Sequence, residues 1–236
     1  MTYTAIIPLR AGSKRIPWKN IKSLNWKPLF LYTLDSALKV DKIINIVITT
    51  DDEKVINILD KSYKKYLDSW KIIIINRDKK LAWDNASSID VILDVLEKNK
   101  DIENIILLQA TSPFRNYKNI KDAILKYENK KCNSLISINK VKEYPYWQHK
   151  IEKDWLIKPL LWMEYYYSRS QDLPKTYIEN WAICIINKKS FINNKSFYTD
   201  KTIWFELNEI ESIDIDEPID FEYCEFLLNN WKIWNF

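Results

Sequence analysis

The chain has 236 residues, 47% of them hydrophobic, and its 36 basic residues against 32 acidic ones give a net charge of +4. A chain of this length and composition can bury one sizeable core, which excludes intrinsic disorder. The basic residues are interleaved with acidic ones and no apolar run reaches the roughly 20 residues of a membrane span, so we expect neither a nucleic-acid partner nor a membrane protein.

The cysteines and the N-terminal residues indicate a cellular compartment. Cys132, Cys184 and Cys224 are far apart and lack the spacing of metal ligands, which argues against a disulfide scaffold and a zinc ribbon. The first residues lack the pattern of a signal peptide. We therefore expect a cytoplasmic protein with reduced thiols.

Glycine is almost missing from the sequence. Average usage of about 7% would give roughly 16 glycines, yet the chain has one, Gly12, and 11 tryptophans. Turns and helix ends need residues that accept a positive φ, and tryptophans such as Trp26 and Trp155 stand in turn contexts. We predict that most of these tryptophans are native glycines, encoded by UGA codons that were translated under the wrong code. The alternative is a lineage that tolerates tryptophan in turns.

Apolar runs alternate with amphipathic segments over the first 140 residues. The predicted elements, in chain order, are strand Tyr3–Leu9, helix 29–40, strand 43–49, helix 53–66, strand 71–75, helix 87–97, strand 104–109, helix 116–127 and strand 134–139. This alternation predicts an α/β fold with a mostly parallel, Rossmann-like sheet and helices on both faces. Ligands of such sheets bind beyond the carboxyl ends of the strands.

The alternation breaks between residues 143 and 180, where aromatic residues are frequent and no clean helical period is present. This excursion either packs on another subunit or is a long irregular connection. A strand at 182–186 and a helix at 218–228 follow it. Because the sequence contains no linker or repeat, we expect residues 1–236 to form a single domain.

A basic loop follows the first predicted strand. Residues 10–20 contain four cations, a small-residue turn and Asn20. Backbone amides and lysines of such a loop can bind a triphosphate. The loop is not a Walker A motif, because it lacks Gly-Lys-Ser/Thr. Arg10 and Arg15 belong to a set of only five arginines against 31 lysines, which indicates sites where a planar guanidinium is needed for phosphate or carboxylate.

A pair of carboxylates precedes the last predicted helix. Asp214 and Asp216 are two residues apart, so both point to the same side of an extended segment. Two carboxylates beside substrate phosphates suit Mg²⁺. The alternative for the pair alone is a solvated polar face.

These motifs, together with several others in the same order, resemble those of the nonulosonic acid cytidylyltransferases, or CMP-N-acylneuraminate synthetases, over nearly the full chain. The similar blocks are residues 10–20, 49–52, 77, 81–88, 108–115, 169–174, 180–183 and the pair Asp214 and Asp216. Trp18, Trp26, Trp83 and Trp181 stand where the family usually carries glycine. Trp147 stands where an aromatic residue is usual, so ten tryptophans are predicted glycines.

The resemblance implies a nucleotidyltransferase fold whose irregular arm makes a homodimer, and a reaction of CTP with a nonulosonic acid that yields a CMP-sugar and pyrophosphate. It implies Mg²⁺ bound by Asp214 and Asp216, and catalytic roles for Arg10, Lys14 and Lys19. The nucleotide-binding residues implied are Arg10, Gly12, Ser13, Lys14, Asn20, Arg77, Asp84, Ser87 and Ser88. The sugar-binding residues implied are Gln109, Thr111, Ser112, Arg169, Gln171, Phe197 and Tyr198.

Departures from the family pattern leave the identity of the sugar open. Cys184 replaces a common tyrosine, and Ile178 stands where some relatives have an arginine that contacts the sugar. The motifs favour N-acylneuraminic or legionaminic acid, and the alternatives are pseudaminic acid and 3-deoxy-octulosonate. An inactive nucleotide-sugar-binding protein is the alternative if the tryptophans at glycine-like positions are genuine.

Overall fold

The computed structural model describes residues 1–83, 87–161 and 163–230. Its strands, in chain order, are β1 (Tyr3–Leu9), β2 (Ser23–Leu24), β3 (Lys27–Pro28), β4 (Ile43–Thr50), β5 (Ile72–Asn76), β6 (Asn104–Leu107), β7 (Ser134–Lys140), β8 (His149–Ile151), β9 (Ile157–Pro159), β10 (Tyr177–Asn187) and β11 (Thr202–Glu206). Its α-helices are α1 (Leu29–Leu38), α2 (Glu53–Ser62), α3 (Lys64–Asp68), α4 (Ser88–Lys98), α5 (Tyr117–Asn129), α6 (Lys188–Asn194) and α7 (Pro218–Asn230).

The central sheet is mostly parallel, as the alternation of strands and helices predicts. Within the described residues it has seven strands in the order β11-β7-β10-β6-β1-β4-β5. β1 pairs in parallel with β4 and β6, β4 with β5, and β7 with β11. β10 runs antiparallel to both of its neighbours, β6 and β7. The carboxyl ends of the other six strands therefore share an edge with the start of β10.

Helices cover both faces of this sheet. Ala5 and Ile7 of β1 pack with α1 and α5 in one apolar cluster, whereas Ile6 belongs to a second cluster with α4 and α6. Successive strand residues point to opposite faces, so a near-continuous apolar strand is buried on both sides. A third cluster joins α7 to Ile16 and Phe114 at the carboxyl edge. None of the helices in the described part of the chain is long and apolar enough to cross a membrane.

The structure confirms the predicted α/β class and the elements up to residue 140, with one correction. The predicted helix 53–66 is two helices, because Tyr63 leaves the helical conformation between them. The Tyr63 hydroxyl donates a 2.6 Å hydrogen bond to Asp35 Oδ1 of α1. This long-range contact fixes Tyr63 where sequence periodicity alone predicts a continuous helix.

The irregular segment, which we call the arm, covers residues 143–176, because β10 already begins at Tyr177. Its regular part is the hairpin of β8 and β9, with His149 paired to Pro159. The arm leaves the sheet after β7 and returns directly beside it. Lys140 of β7 is opposite Tyr177 of β10, and the Val141 N–H donates to the Thr176 carbonyl at 3.2 Å.

Tryptophans account for most of the non-glycine residues with positive φ in the described chain. Their φ angles are 58° at Trp18, 71° at Trp26, 59° at Trp70, 66° at Trp155 and 55° at Trp181. Left-handed backbone of this kind favours glycine, because a Cβ atom crowds the neighbouring carbonyl. These five angles support the prediction of native glycine at those positions.

Trp204, also a predicted glycine, does not stand in a turn as Trp26 and Trp155 do. It lies in the middle of β11, an edge strand that the hydrophobic pattern does not predict. Its indole stacks on Tyr177 at 6.4 Å between ring centroids, and Lys126 Nζ lies 3.4 Å from its ring. The backbone argument for glycine therefore does not extend to this position.

Candidate active site

A cleft of about 810 Å³ opens at the carboxyl edge of the sheet. Three chain segments form most of it: the loop after β1, the segment after β6 and the start of β10. The cleft is lined by Pro8, Arg10, Ser13, Lys14, Arg15, Lys19, Asn20, Gln109, Thr111, Glu179, Asn180, Trp181, Asp214 and Asp216. This edge is where the alternating fold predicts a ligand site.

The loop of residues 10–20 is fixed by hydrogen bonds at both ends. The Ala11 N–H donates to Asp51 Oδ1 at 2.9 Å, and the Asn20 amide donates to the Arg10 carbonyl at 3.0 Å. Gly12 lies between these anchors, and apart from its two chain neighbours no described residue has an atom within 4 Å of the place where a Cβ would stand. The loop is thus held in place and leaves its backbone approachable for an anion.

Lys19 connects this loop to the carboxylate pair. Its Nζ donates to the Ile215 carbonyl at 2.7 Å and to Asp216 Oδ1 at 3.2 Å. Arg15 contacts the other oxygen of Asp216 at 3.3 Å. Opposite charges from two distant parts of the chain therefore face each other across one end of the cleft.

Asp214 and Asp216 are placed by the segment after β6. The Ile215 N–H donates to the Thr111 carbonyl at 2.8 Å, so residues 214–216 run alongside that segment. The protein around Asp214 desolvates its carboxyl group, and this raises its pKa. A hydrogen bond with the Thr111 side chain opposes the rise, and the negative charge of Asp216 adds to it. A cation beside the pair would relieve this repulsion.

Arg77 supports the neighbouring strand ends. It is buried, its Nη2 donates to the Thr49 carbonyl at 2.9 Å, and its Nε donates to Thr49 Oγ1 at 3.4 Å. Burial lowers its pKa, while Asp51 acts in the opposite direction. Arg77 thus holds the end of β4, next to the carboxylate that anchors the loop of residues 10–20.

The segment after β6 supplies Gln109 and Thr111 to the cleft, while its other polar residues face inward. Ser112 is fully buried and its hydroxyl has no hydrogen-bond partner among the described residues. Its predicted contact with the sugar does not agree with this placement. Arg115 is also fully buried, and its Nη2 donates to Thr33 Oγ1 at 2.8 Å and to the Gln109 carbonyl at 2.9 Å.

The start of β10 contributes a wall that the predicted site residues did not include. Glu179, Asn180 and Trp181 line the cleft at a shift in the strand register. Asn180 accepts a 2.6 Å hydrogen bond from Ser137 Oγ and donates to Asn139 Oδ1 at 3.1 Å. Residues 180–183 are one of the blocks that resemble the family, but only the antiparallel direction of β10 brings them to this edge.

The remaining predicted site residues that the structure describes are not among the residues that line the cleft. Ser87 caps α4, and its hydroxyl accepts from the Asp90 N–H at 3.1 Å. Arg169 pairs with Asp172 at 2.9 Å on the exposed arm, where Gln171 also lies. The other placements are Ser88 at the first position of α4, Phe197 buried and Tyr198 half-exposed. Asp84 falls outside the described residues.

The sequence profile of the cytidylyltransferase family matches residues 4–233. The chain belongs to the cytidylyltransferase family. This match confirms the resemblance found in the sequence motifs. It also shows that the chain is a nucleotidyltransferase. The motifs at 10–20 and at Asp214 and Asp216 meet in the cleft, which is therefore the candidate active site.

Three relatives indicate which branch of the family is similar. The N-acylneuraminate cytidylyltransferase of Streptococcus agalactiae is 32% identical over 219 residues, which are 92% of this chain and 51% of that protein. The CMP-N,N'-diacetyllegionaminic acid synthase of Legionella pneumophila is 34% identical over 97% of both chains. The pseudaminic acid cytidylyltransferase of Campylobacter jejuni is 29% identical over 96% of both chains. The present chain thus spans about half the length of the streptococcal protein and nearly the whole length of the other two.

Solved structures confirm the fold. A CMP:2-keto-3-deoxy-manno-octonic acid synthetase complexed with CTP superposes with a TM-score of 0.71 at 15% identity, covering 98% of this chain and 100% of that one. The 4-diphosphocytidyl-2C-methyl-D-erythritol synthase of Anaerococcus prevotii gives 0.67 at 14% identity, covering 97% and 96%. The Rossmann-like nucleotidyltransferase sheet predicted from the sequence is therefore correct.

Proposed function

We propose that this cytidylyltransferase transfers CMP from CTP to a nonulosonic acid of the N-acylneuraminic or legionaminic type and releases pyrophosphate. The observation that carries the proposal is the meeting of a cationic loop and a carboxylate pair in one cleft, with Lys19 Nζ 3.2 Å from Asp216 Oδ1. A nucleoside triphosphate with a divalent cation needs both kinds of group side by side.

In the proposed reaction the anomeric hydroxyl oxygen of the sugar acid forms a bond to the α-phosphorus of CTP. The bond from that phosphorus to the oxygen bridging the β-phosphorus breaks, pyrophosphate leaves with the electron pair, and the hydroxyl loses its proton. Such transfers depend mainly on positioning and on neutralising charge. The protein's part is therefore to align two anionic substrates that repel each other.

The loop of residues 10–20 binds the triphosphate in this proposal. Arg10, Lys14 and Lys19 supply positive charge, and Ser13 and Asn20 line the same part of the cleft. The bond from Asn20 to the Arg10 carbonyl and the bond from Lys19 to the Ile215 carbonyl fix the loop before substrate binds. A loop that is already ordered loses less entropy on binding.

The residues of the cleft fit Mg²⁺, although the described chain contains no group of three or more metal-ligating side chains. Asp214 and Asp216 would supply hard oxygen ligands to a cation that takes few protein ligands. When bound, Mg²⁺ would supply neutralisation of charge on the phosphates. Asp216 pairs with Lys19 and Arg15, so these two cations also lie where they would face the phosphates beside a cation held by the carboxylate pair.

The sugar acid lies on the side of the cleft formed by Gln109, Thr111 and the start of β10. The legionaminic acid synthase and N-acylneuraminate cytidylyltransferase among the relatives support this choice of acceptor. Pseudaminic acid is the second candidate, favoured by the similarity to the Campylobacter jejuni enzyme over 96% of the chain. The third candidate, 3-deoxy-octulosonate, has support from a fold likeness only.

The enzyme functions as a homodimer in this proposal, and the arm supplies the interface. Its hairpin exposes Ile151, Leu156 and Ile157 to solvent by 78%, 60% and 61%. Ile151 and Ile157 are direct neighbours across the hairpin, and exposed apolar side chains that lie together are typical of subunit contacts. Arg169 and Gln171 lie on the same arm, so a second copy is the means by which they reach a sugar.

The three free cysteines agree with a cytoplasmic location.

Asp216→Asn tests the proposed function and the metal together. The chain should release pyrophosphate from CTP with one of the sugar acids, and mass spectrometry should detect the CMP-sugar. The Asn variant should lose at least about 10²-fold in kcat and keep its CTP affinity, because the triphosphate loop retains its cations.

Glu222→Gln is the matched control, since Glu222 is an exposed carboxylate on α7 outside the cleft. It should leave kcat unchanged. Undiminished kcat in the Asp216→Asn variant at limiting Mg²⁺ would refute the metal role. Nucleotide binding without turnover of any sugar acid would instead favour the inactive nucleotide-sugar-binding protein.

A further inference from the structure

The backbone around Asp216 is held by hydrogen bonds from three parts of the chain. The Ile215 N–H donates to the Thr111 carbonyl at 2.8 Å, and the Ile215 carbonyl accepts from Lys19 Nζ at 2.7 Å. The Asp216 N–H donates to Asp220 Oδ2 at 2.9 Å. The segment after β6, the basic loop after β1 and the start of α7 therefore converge on this residue.

Asp220 fixes both peptide groups that flank the Cα atom of Asp216. Its Oδ2 accepts the Asp216 N–H at 2.9 Å and the Glu217 N–H at 2.7 Å. These N–H groups belong to the planar peptide groups before and after Asp216, so one carboxylate oxygen restrains both φ and ψ of that residue. Because the Cα–Cβ bond follows the backbone, Asp220 sets the direction in which the Asp216 side chain leaves it.

The start of α7 explains why Asp220 reaches this backbone. Pro218 is the first residue of the helix and has no N–H group, and Asp220 is the third residue. In a capping box the side chain of the third helical residue likewise reaches back to the backbone N–H before the helix. Ile215 and Phe221 are buried in the same apolar cluster, which anchors α7 against the segment that carries the carboxylate pair.

We propose that Asp220 is a positioning residue for the metal, because it holds Asp216 in the direction in which the pair Asp214 and Asp216 binds a divalent cation. Asp220 is not among the residues that line the cleft, so it acts through the backbone of Asp216. Residues that orient the ligands of a metal commonly change its affinity by about 10- to 100-fold. The inference rests on the proposed function, to which it adds a residue outside the predicted motifs.

Mn²⁺ binding to the nucleotide-free protein, followed by the electron paramagnetic resonance of the free ion, tests this role without turnover. The binding that is lost in Asp216→Asn reports the carboxylate pair. Asp220→Ala should weaken this binding by at least about tenfold. Asp220→Asn should keep most of the affinity, since its amide oxygen can accept the same two N–H groups.

Asn187→Ala is the matched control. Asn187 caps α6 at the opposite edge of the sheet, where its side chain accepts the Ser190 N–H at 2.8 Å. Loss of either cap should lower the unfolding temperature. Asp220→Ala should in addition lower the Mn²⁺ affinity and raise the Mg²⁺ concentration at half-maximal rate, whereas Asn187→Ala should change neither.

Equal Mn²⁺ affinity in Asp220→Ala and the parent chain would overturn the proposal. Equal losses in Asp220→Asn and Asp220→Ala would also overturn it, because they would show that charge acts and not hydrogen bonding. A parent chain whose Mn²⁺ binding does not depend on Asp216 would contradict the metal role of the pair and this inference together. Binding that depends on Asp220, in a chain that turns over no sugar acid, would contradict the proposed reaction and leave the positioning role established.

Discussion

Asn25 and Trp26 form the two-residue turn between β2 and β3, with φ angles of 45° and 71°. Two successive left-handed residues define a type I′ hairpin turn, for which Asn-Gly is the preferred sequence. Trp70 directly follows Ser69, the C-cap of α3, at the position where helices most often end in glycine. Trp26 and Trp70 thus stand at two different kinds of position, a hairpin turn and a helix end, both of which favour glycine.

We predict that the protein isolated from its source carries glycine at the ten tryptophans other than Trp147. Each exchange removes an indolylmethyl group, so the intact mass should be lower than the printed chain by about 1.3 kDa. Intact-mass spectrometry measures the total, and peptide mapping assigns each site, Trp204 included. A mass of 28.4 kDa would show that the tryptophans are real.

Lys19→Ala should weaken CTP binding far more than binding of the sugar acid. The variant removes a point charge from the triphosphate side and leaves Asp216 paired with Arg15 alone, so the carboxylate repels phosphate more strongly. Titration calorimetry with each substrate separates the two affinities. Lys118→Ala on the exposed face of α5 is the control. An unchanged CTP affinity in the Lys19 variant would exclude a triphosphate role.

At the scale of elements, the hydrophobic pattern predicted the strands and helices whose apolar residues form the two sheet faces. It missed β11 and α6, because a five-residue edge strand and a seven-residue helix are too short for a clear period. The charged residues of the sequence indicate the loop of residues 10–20 and the pair Asp214 and Asp216 as two separate motifs. Their contact depends on the pairing of Ile215 with Thr111, which local spacing does not encode.

Arg115 holds the segment after β6 from within the core. It is fully buried, burial lowers its pKa to about 9, and its Nε and Nη1 have no hydrogen-bond partner among the described residues. Thr33 Oγ1 also donates to the Gln109 carbonyl at 3.1 Å, so this carbonyl has two donors. A buried cation of this kind is costly, which indicates a role in positioning Gln109.

Arg115→Met should therefore leave the unfolding temperature equal or higher, since an apolar side chain of similar length removes a buried charge. The Gln109 carbonyl keeps only the Thr33 donor, so KM for the sugar acid should rise by about tenfold while KM for CTP stays constant. Steady-state kinetics and a thermal melt give both readouts. A large drop in unfolding temperature, or equal increases in both KM values, would contradict this positioning role.

At the scale of the whole molecule, the arm and the cleft are joined through β10, whose first residues continue the arm and line the cleft. We predict that Ile157→Asp converts a homodimer to monomers, because it places a charge in the apolar hairpin. Light scattering after size exclusion measures the mass. A purely monomeric parent chain would contradict the proposed assembly.

Ile192→Asp is the control for that experiment. Ile192 is a 44% exposed isoleucine on α6, which follows the far end of β10 from the arm. It should leave the measured mass of the assembly unchanged. A loss of the dimer in both variants would show that added charge acts nonspecifically.

Lys140 and Tyr177 are neighbours across the sheet although the whole arm separates them along the chain. In topological terms β7 and β10 form a β-hairpin, and the arm is its enlarged loop. An enlarged or shortened loop leaves both strand ends where they are, and surface loops tolerate such changes in length. The proposed subunit interface can therefore diverge by insertion or deletion in this loop, while the sheet whose edge forms the cleft stays unchanged.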